Sequence, residues 1–312
     1  METSRWLANL YRALTQFSIG LFLLVSSPVA QAQTFLYVSE TGAGGNTDGS
    51  VLSVTAGGST STLATGLDGS DLIFLTMNGG TLYQGSAGDG GLNSAVNQIS
   101  SSGTVTPYFT FVGNHDLAGL VFDSSGNLFV CDCISSEIDK ITPGGASESQ
   151  FTSGSIGNDE DVTYYNGFLY EADYAGGKIY KIFPTGVHSV FATVPSNLVG
   201  IVSDGAGNFY ATNGSNTVYK INSSGTVSVF AHPFGNSYQL DIDSSGNLYV
   251  VDNGNDSIDE ITPGGVVSVF VSGLDNPTGI AIVDVVPEPS TWALLMAGAG
   301  MIALAFRSRK RV

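Results

Sequence analysis

The chain has 312 residues, of which 42% are hydrophobic and only 12% charged, and its formal net charge is −17 at pH 7. Lysine and arginine together number 10, against 27 aspartate and glutamate residues. Because a protein that binds nucleic acid needs a basic surface to displace counterions from phosphate, this composition excludes nucleic acid as a partner.

The first 32 residues have the features of a secretory signal peptide. Arg5 and Arg12 provide the positive start, residues 17–25 form a short apolar segment, and Ala30-Gln31-Ala32 is a small-residue cleavage site. We predict export through the Sec machinery and cleavage after Ala32, so that residues 1–32 are removed. A non-cleaved anchor is the alternative, but the apolar segment is short for one.

The acidity is concentrated in the middle of the chain. Six of the ten basic residues lie in residues 1–32 and 285–312, together with two acidic ones, so residues 33–284 carry 25 acidic against 4 basic groups, a net charge of −21. Such a surface repels anionic lipid and suits a cation-rich exterior. The solubility of an exported protein is the simpler explanation of the same acidity.

A short strand motif recurs six times between the two ends. It consists of Leu or Phe, usually an aromatic residue, two variable residues and often Asp or Asn. The copies begin at Leu36, Leu82, Leu128, Leu169, Phe209 and Leu248. The spacings are 46, 46, 41, 40 and 39 residues. A period near forty with short strands and glycine-rich turns predicts the blades of a β-propeller.

Turn sequences recur at fixed places inside the repeats. Asp123-Ser124-Ser125-Gly126-Asn127 reappears with small changes at 204–208 and 243–247, and Thr142-Pro143-Gly144-Gly145 reappears at 262–265. We expect four antiparallel strands per repeat, with Gly and Asn supplying the positive φ values of the hairpins. No helical periodicity is found between Gln33 and Asp284.

The two ends of the repeat region complement each other. Residues 276–282 match an inner strand that no second strand follows, whereas Leu36-Tyr37-Val38 matches a second strand that no inner strand precedes. Joining them in one blade leaves no sheet edge at the seam. We therefore predict an all-β, six-bladed propeller over residues 33–284, a single domain closed by mixed N- and C-terminal strands.

Residues 276–281 and 246–252 resemble NHL-type repeats, and more loosely the propellers of streptogramin lyases and gluconolactonases. The resemblance covers essentially the whole middle of the chain. Because its motifs are structural, it implies the fold and says little about activity.

One position per blade carries a polar residue just before the inner strand. These residues are Ser70 (with Asp71 beside it), Asp116, Asn158, Asn197, Asn236 and Asn276. Their oxygen atoms are expected to surround one mouth of the central channel, where they predict a site for Ca²⁺ or another divalent cation. Asp71, Asp159, Glu160 and Asp161 add charge. Lactonase-type propellers, which the chain resembles, bind a divalent metal in the channel. The alternative is that these side chains cap the loops.

Histidine and cysteine give weaker signals. Of His115, His188 and His232, only His115 is expected near the channel mouth, beside Asp116. We predict no catalytic residue. Cys131 and Cys133 are either a strained bridge across one residue or two partly buried thiols, and we expect them to be structural.

The last residues, 285–312, have three parts in a fixed order. Pro287-Glu288-Pro289 precedes an apolar segment from Trp292 to Phe306, and Arg307-Ser308-Arg309-Lys310-Arg311 follows. The apolar segment is predicted to be a transmembrane helix, slightly shorter than the ~17–25 residues of a comfortable span, with the basic cluster on the cytoplasmic side. This order resembles the PEP-CTERM sorting signal of Gram-negative bacteria, which membrane protease-transferases called exosortases read. The resemblance implies a cut near Pro287-Glu288-Pro289; an ordinary membrane anchor is the alternative.

These observations predict an exported cell-surface or extracellular-matrix propeller that is a non-enzymatic binding or scaffold module. The C-terminal helix holds it briefly in the inner membrane until an exosortase sorts it. Proteins that it resembles occur in exopolysaccharide-producing, biofilm-forming bacteria, which implies exopolysaccharide or matrix proteins as partners. The alternative is a metal-dependent lactonase- or lyase-like enzyme with its site at the channel mouth. That enzyme needs a bound ion and a base, whereas a scaffold needs neither.

Overall fold

The structure is a computed structural model that describes residues 34–41, 49–67, 74–86, 94–113, 115–152, 154, 156–232 and 235–283. The predicted signal peptide and the predicted C-terminal helix lie outside these residues. Among the residues described, no helix has the length and apolar character needed to cross a bilayer.

The described residues form 24 β-strands and one 3-10 helix, Asn253–Asn255. In chain order the strands are β1 (Thr34–Glu40), β2 (Gly49–Thr55), β3 (Thr60–Leu67), β4 (Leu75–Asn78), β5 (Thr81–Ser86), β6 (Ala95–Ile99), β7 (Val105–Thr110), β8 (Leu117–Phe122), β9 (Leu128–Asp132), β10 (Glu137–Ile141), β11 (Glu148–Gln150), β12 (Asp159–Tyr165), β13 (Phe168–Asp173), β14 (Lys178–Ile182), β15 (His188–Thr193), β16 (Gly200–Ser203), β17 (Phe209–Thr212), β18 (Val218–Ile221), β19 (Val227–Ala231), β20 (Ser237–Ile242), β21 (Leu248–Asp252), β22 (Ser257–Ile261), β23 (Val267–Ser272) and β24 (Pro277–Ile282).

These strands make six antiparallel sheets of four strands, the blades of the predicted propeller. From inner to outer strand, blade 1 is β24-β1-β2-β3, blade 2 is β4 to β7, blade 3 is β8 to β11, blade 4 is β12 to β15, blade 5 is β16 to β19 and blade 6 is β20 to β23. The inner strands contact one another in a closed circle, β24-β4-β8-β12-β16-β20 and back to β24. The prediction of a six-bladed propeller is confirmed.

Blade 1 is closed by strands from both ends of the repeat region. β1 pairs antiparallel with β24, with Leu36 opposite Ile282 and Val38 opposite Ile280. The buried hydroxyls of Ser39 and Thr278 lie 3.3 Å apart across the same seam. The predicted closure by mixed termini is therefore confirmed.

The repeated aromatic residues pack within and between blades. The second strands are almost fully buried. The sequence Ser-Val-Phe recurs in the outer strands at 189–191, 228–230 and 268–270, and each of its Phe rings packs edge-on against the second-strand Tyr of its own blade. The ring centroids of Tyr170 and Phe191 are 5.1 Å apart, and those of Tyr210 and Phe230 4.9 Å. Such pairs stabilise a sheet beyond the area they bury.

The Asp-x-x-Gly-Asn turn, which follows the inner strand in blades 3, 5 and 6, has a different basis from the one expected. Gly126 has a φ of 80°, but Asn127 does not have a positive φ. Instead, the Asp123 carboxylate accepts hydrogen bonds from the Ser125 and Asn127 backbone and from the Asn127 side chain, at 2.8, 2.9 and 2.7 Å. In this turn Asn bonds to the first Asp instead of supplying a positive φ. In blade 4 the expectation is confirmed, because the turn after the inner strand has Asn166 and Gly167 at φ values of 50° and 86°.

Candidate functional site

The two faces of the propeller can be distinguished by the direction of the inner strands. We call the face on which the inner strands begin the upper face, and the face on which they end the lower face. Five of the residues that were predicted to surround the channel mouth lie on the upper face. Asp116, Asn158, Asn236 and Asn276 each directly precede an inner strand, and Asn197 lies three residues before β16. Ser70 and Asp71 lie outside the described residues.

In three blades, an aspartate at the end of the second strand holds the backbone at this position. The Asp132 carboxylate accepts the Asp116 N–H at 3.1 Å, and the Asp173 carboxylate accepts the Asn158 N–H at 3.2 Å. In blade 6, Asp252 accepts the Asn236 N–H at 3.2 Å. The capping of these loops thus comes from the second strand.

Asn276 differs from the others, because its side chain takes part in the seam of blade 1. Its amide oxygen accepts a hydrogen bond from Asn253 at 2.7 Å, and its amide nitrogen donates to Thr41 at 2.5 Å. Its φ of 55° is in the left-handed region, which Asn tolerates. The expectation that Asp116, Asn158, Asn197, Asn236 and Asn276 hold a divalent cation stays a prediction.

Of the four acidic residues that were expected to add charge at the mouth, the three that the structure describes separate from one another. Asp159 is fully buried, and Asp161 lines the channel. Glu160 is partly exposed, and burial followed by repulsion from Asp116 and Asp159 raises its pKa to about 7. Only Glu160 therefore stays with the upper-face residues.

The central channel contains a cavity of about 110 Å³. Its polar lining is engaged with backbone groups of neighbouring inner strands. The two oxygens of Asp161 accept the Val162 and Ile201 N–H groups, each at 2.9 Å. Gln239 accepts the N–H groups of Ile280 and Leu75 at 2.9 and 3.1 Å.

Through these hydrogen bonds the polar side chains that line the channel have a structural role. Asp161 joins β12 to β16, and Gln239 joins β20 to both β24 and β4. A methyl group at Gly119 would lie 2.2 Å from the Asp161 carboxylate, so that glycine permits β8 to approach β12 closely. The channel is narrow because its blades are tied together through it.

Blade 3 gathers three possible metal ligands on the upper side. His115 Nδ1 lies 3.0 Å from Asp132 Oδ2, and one ligand atom from each of His115, Asp132 and Asp139 falls within 4.8 Å of the other two. Asp132 is 1% exposed and Asp139 5%. Burial, followed by repulsion from Glu148 and Asp132, raises the pKa of Asp139 to about 7. We call this set the blade 3 triad.

Blade 4 contains a buried pair of carboxyl groups. Asp159 and Glu171 are both 0% exposed, and none of their four oxygens accepts a hydrogen bond from a donor group among the described residues. Burial raises the pKa of Asp159 to about 7, although a hydrogen bond with Glu171 lowers it in part. Burial and repulsion from Asp159 raise the pKa of Glu171 well above its usual range. The pair is satisfied when Glu171 keeps its proton and donates it to Asp159.

Cys131 and Cys133 are free thiols at this junction of blades 3 and 4. The Cys133 Sγ donates to the Asp159 carbonyl at 3.0 Å, and Cys131 is fully buried. Burial and the surrounding carboxylates raise the pKa of both thiols. Because thiols react and bind metals as thiolates, these two are packing groups rather than reactive ones.

Neither Asp132, Asp139 nor Glu171 was a candidate on sequence grounds. Glu171 could have been found by comparing the residues at equivalent positions of the six repeats. Strand pairing puts Val130 of blade 3 and Val250 of blade 6 at the position of Glu171. Likewise Leu117 and Ser237 take the position of Asp159, opposite the Asp that ends the second strand. A carboxyl in a core position of one repeat is the pattern to look for.

The lower face carries a groove of about 240 Å³ between blades 3 and 4. It is lined by Asp123, Phe129, Lys140, Phe151, Tyr164, Gly167, Leu169, Ile182, Phe183 and Pro184. The Lys140 ammonium lies 5.6 and 5.9 Å from the ring centres of Phe129 and Phe151. No carboxylate among the described residues forms an ion pair with it. We call this feature the lower groove.

The size of one side chain distinguishes this junction from the junction of blades 4 and 5. Between blades 4 and 5 the equivalent space holds Phe209, whose ring centre is 4.1 Å from that of Tyr170 and 5.9 Å from that of Tyr165. At the same position in blade 4 the chain has Leu169, which starts β13's repeated motif as Phe209 starts β17. The smaller side chain leaves space for a ligand.

Comparison with protein-family models tests the prediction made for the C-terminal residues. The family model of the PEP-CTERM protein-sorting motif matches residues 285–310. The chain carries a PEP-CTERM sorting motif. This confirms the prediction made from the proline-flanked glutamate, the apolar segment and the basic end. The PEP-CTERM motif marks the protein for export, for membrane-associated sorting and for processing by an exosortase.

Solved structures with the same fold have unrelated sequences. A nidogen/laminin complex matches with a TM-score of 0.68 and 14% identity over 80% of this chain and 98% of that one. A streptogramin B lyase matches with a TM-score of 0.59 and 15% identity over 81% and 89%. A catalytically inactive histidine-to-alanine variant of virginiamycin B lyase from Staphylococcus aureus, with quinupristin, matches with a TM-score of 0.54 and 14% identity over 78% and 87%.

At such identities these likenesses show the propeller fold alone. One of the similar proteins is part of a binding complex and the others are enzymes, so the fold does not choose between the two roles. No curated protein sequence matches the chain significantly.

Proposed function

We propose that this PEP-CTERM protein is a non-enzymatic binding module of the cell surface or extracellular matrix of a Gram-negative bacterium, and that its propeller binds a glycan in the lower groove. The observation that carries this proposal is the groove itself, in which aromatic rings, an unpaired ammonium and a hydroxyl group face one space. After export the exosortase cuts near Pro287-Glu288-Pro289. Mass spectrometry of the released protein checks that cut, and an uncut C-terminus would leave a plain membrane anchor.

The residues of the lower groove suit a sugar ring. Phe151 and Tyr164 are half-buried and present apolar faces on which the C–H face of a sugar packs, and Phe129 is buried beneath them. Lys140 donates hydrogen bonds to hydroxyl oxygens, and the rings beneath its ammonium hold it in place. A volume of about 240 Å³ is slightly below the usual range for drug-sized ligands and matches one or two sugar units at the surface.

The charge of the propeller selects among glycans. With 25 acidic and 4 basic groups over residues 33–284, its surface repels polyanions. The groove contains one basic group, Lys140, and one acidic group, Asp123, so it has no net charge that would favour an acidic or an amino sugar. A neutral polysaccharide of the secreted matrix is therefore the proposed partner.

Affinity gel electrophoresis with dextran, mannan and the acidic polysaccharide alginate tests this proposal. We expect a neutral polysaccharide to retard the protein, and alginate not to. Leu169→Phe copies blade 5 and fills the groove, so we expect it to abolish retardation. Tyr164→Ala and Lys140→Met should each weaken binding about tenfold, which corresponds to about 1.4 kcal/mol.

Lys220→Met provides the matched control. Lys220 has the same place on the third strand of blade 5, and its ammonium lies 5.2 Å from the Tyr210 ring centre. It is not part of the lower groove, so this variant should bind as the unmodified protein does. Equal retardation of the Leu169→Phe variant, or retardation by none of the neutral polysaccharides, would contradict the proposal.

The pairing of His115 with Asp132 supports a second candidate function, a metal-dependent lactonase- or lyase-like enzyme at the channel mouth. An imidazole that a carboxylate orients is the arrangement of a general base. Two of the structures with a similar fold are lyases, and a histidine variant of one is inactive.

A screen with small lactones and with quinupristin, in the presence of divalent metal, distinguishes the two functions. Turnover that His115→Ala removes would establish the enzyme. Lack of turnover together with polysaccharide binding would establish the binding module.

A further inference from the structure

We propose that the blade 3 triad, His115, Asp132 and Asp139, is a binding site for one divalent transition metal ion, of which Zn²⁺ is the best-fitting example. The site differs from the predicted circle of polar residues at the channel mouth, and it does not depend on whether the propeller is an enzyme.

The separation of the ligand atoms fits a metal of this size. Zn–N and Zn–O bonds are about 2.0–2.2 Å long, so two ligand atoms at tetrahedral or octahedral angles stand roughly 2.9–3.4 Å apart. His115 Nδ1 and Asp132 Oδ2 are 3.0 Å apart. The Asp139 oxygen lies within 4.8 Å of both, so a movement of at most about 2 Å of its side chain completes three ligands.

Asp132 is oriented for this role by the backbone around it. Its Oδ1 accepts the N–H groups of Asp116 and Ile134, both at 3.1 Å. This leaves Oδ2 directed at His115. Such outer hydrogen bonds fix the direction of a metal-binding carboxylate.

Asp139 provides an independent observation that points to a ligand. Its side chain is 95% buried, at 5% exposure, and its carboxyl accepts no hydrogen bond from any residue that the structure describes. In blade 6 the matching residue is Asp259, which accepts a hydrogen bond from Ser257 at 3.2 Å. Blade 3 has Glu137 in place of that serine, so Asp139 has no such donor and its carboxyl is available to a cation.

The other blades lack the histidine. The residue before the inner-strand position is His115 in blade 3, but Gly157 in blade 4 and Gly235 in blade 6. A methyl group at Gly157 would lie 2.6 Å from the Asp173 carboxylate, so no side chain fits there. The aspartate that ends the second strand thus recurs as a loop cap, and only in blade 3 does its second oxygen face an imidazole.

One imidazole and two carboxylates favour Zn²⁺ or a similar ion over Ca²⁺. Imidazole is a ligand for transition metals, whereas Ca²⁺ takes six to eight oxygen ligands. His115 is 23% exposed at its side chain, which gives the ion a path from solvent and leaves a coordination position for water. The ring of His115 packs against Phe111 with ring centres 4.9 Å apart, which keeps its orientation.

The test is calorimetric titration of the purified, EDTA-treated protein with Zn²⁺, and separately with Ca²⁺, together with the visible spectrum of its Co²⁺ form. We expect one Zn²⁺ per chain, and a Co²⁺ spectrum of an ion with a nitrogen ligand. His115→Ala and Asp139→Asn should each weaken Zn²⁺ binding at least tenfold. Asp139→Asn is the safer variant for folding, because it nearly preserves shape and removes a buried charge.

Asp259→Asn is the matched control, since it changes the same position in blade 6, where no histidine is present. Its Zn²⁺ affinity should equal that of the unmodified protein. The proposal is overturned if Zn²⁺ does not bind, or if the His115→Ala and Asp139→Asn variants bind it unchanged. It is also overturned if Ca²⁺ displaces Zn²⁺ at equal concentration, because the ion would then sit among oxygen ligands elsewhere.

Discussion

Blades 4 and 6 have the same architecture and nearly the same turns, yet their buried polar content differs. In blade 6 the second strand is buried along its whole length, with Val250 at its centre and Ser237 across from its end. In blade 4, Glu171 and Asp159 take these two positions and are both 0% exposed. The comparison shows that a propeller can carry two carboxyl groups inside one blade while the fold of that blade stays unchanged.

The difference also shows which groups are structural. Asp173 and Asp252 occupy the same place in the two blades and hold the same loop by hydrogen bonds from its backbone. A residue that recurs with the same contacts in several blades serves the fold. A residue that departs from the repeat, such as Glu171 or His115, is where a separate role is to be sought.

The largest effect is expected from moving one carboxyl into blade 6. Val250→Glu buries a carboxyl in a blade that has a serine, Ser237, instead of an aspartate at the position of Asp159, and we expect it to lower the free energy of unfolding by about 3–5 kcal/mol. Chemical denaturation measures this. Adding Ser237→Asp should recover part of the loss, because it recreates the pair of blade 4. If the double variant is no more stable than the single one, the two carboxyls do not support each other.

A smaller effect of opposite sign is expected in blade 4. The double change Asp159→Leu with Glu171→Val copies blade 3 at both positions, and replacing a buried polar pair by apolar residues raises stability by about 1–4 kcal/mol in comparable cases. The same denaturation experiment measures it. Glu171→Val alone should be less stable than the double variant, because Asp159 then has no proton donor. A large loss of stability in the double variant would mean that a bound cation normally compensates the pair.

The pH dependence of stability should be the smallest effect. The pKa values of Asp159 and Glu171 in the folded protein are raised above the values near 4 of an unfolded chain, so the folded state binds more protons. Their contribution to stability is therefore complete below about pH 4 and is lost as the pH rises through about 7, the folded pKa of Asp159.

We accordingly expect the melting temperature to fall between pH 5 and pH 8. The fall should be smaller in Glu171→Gln, because the raised pKa of Glu171 itself no longer contributes, while the amide can still donate a hydrogen bond to Asp159. Scanning calorimetry at several pH values measures both. A fall of equal size in the variant would assign the effect to other buried carboxyls, of which Asp161, with a pKa raised to about 8, is one.

The fold could be predicted from the sequence because the same strand motif recurs in every blade and the same turn motifs recur in several. Six copies of one motif gave the number of blades, and Leu36 and Ile280 could be assigned to one blade from the strands that each end lacked. The blade 3 triad could not be found in this way. His115, Asp132 and Asp139 belong to a loop and to two strands, and their distance depends on the register between β9 and β10.

The lower groove could not be predicted from the sequence for a different reason. The exposure of Tyr164 depends on how blade 3 packs on blade 4, which the sequence of a single repeat does not show. The space at this junction also depends on the volume of Leu169, where blade 5 has the larger Phe209. A comparison of the repeats position by position, rather than of the motif alone, would have shown both this difference and the exceptional position of Glu171.

The seam of blade 1 sets an order of events for the exported chain. Ser39 of β1 and Thr278 of β24 are in contact although 239 residues of sequence separate them. When the chain is exported from its N-terminus, β1 emerges first, and its edge stays unpaired until β24, the last strand, has emerged. Contacts of such high sequence separation form slowly. β24 ends at Ile282, and the PEP-CTERM motif begins at residue 285. The circle of blades can therefore close only when the sorting motif is the next segment to emerge, so that completion of the fold and presentation to the exosortase coincide in time.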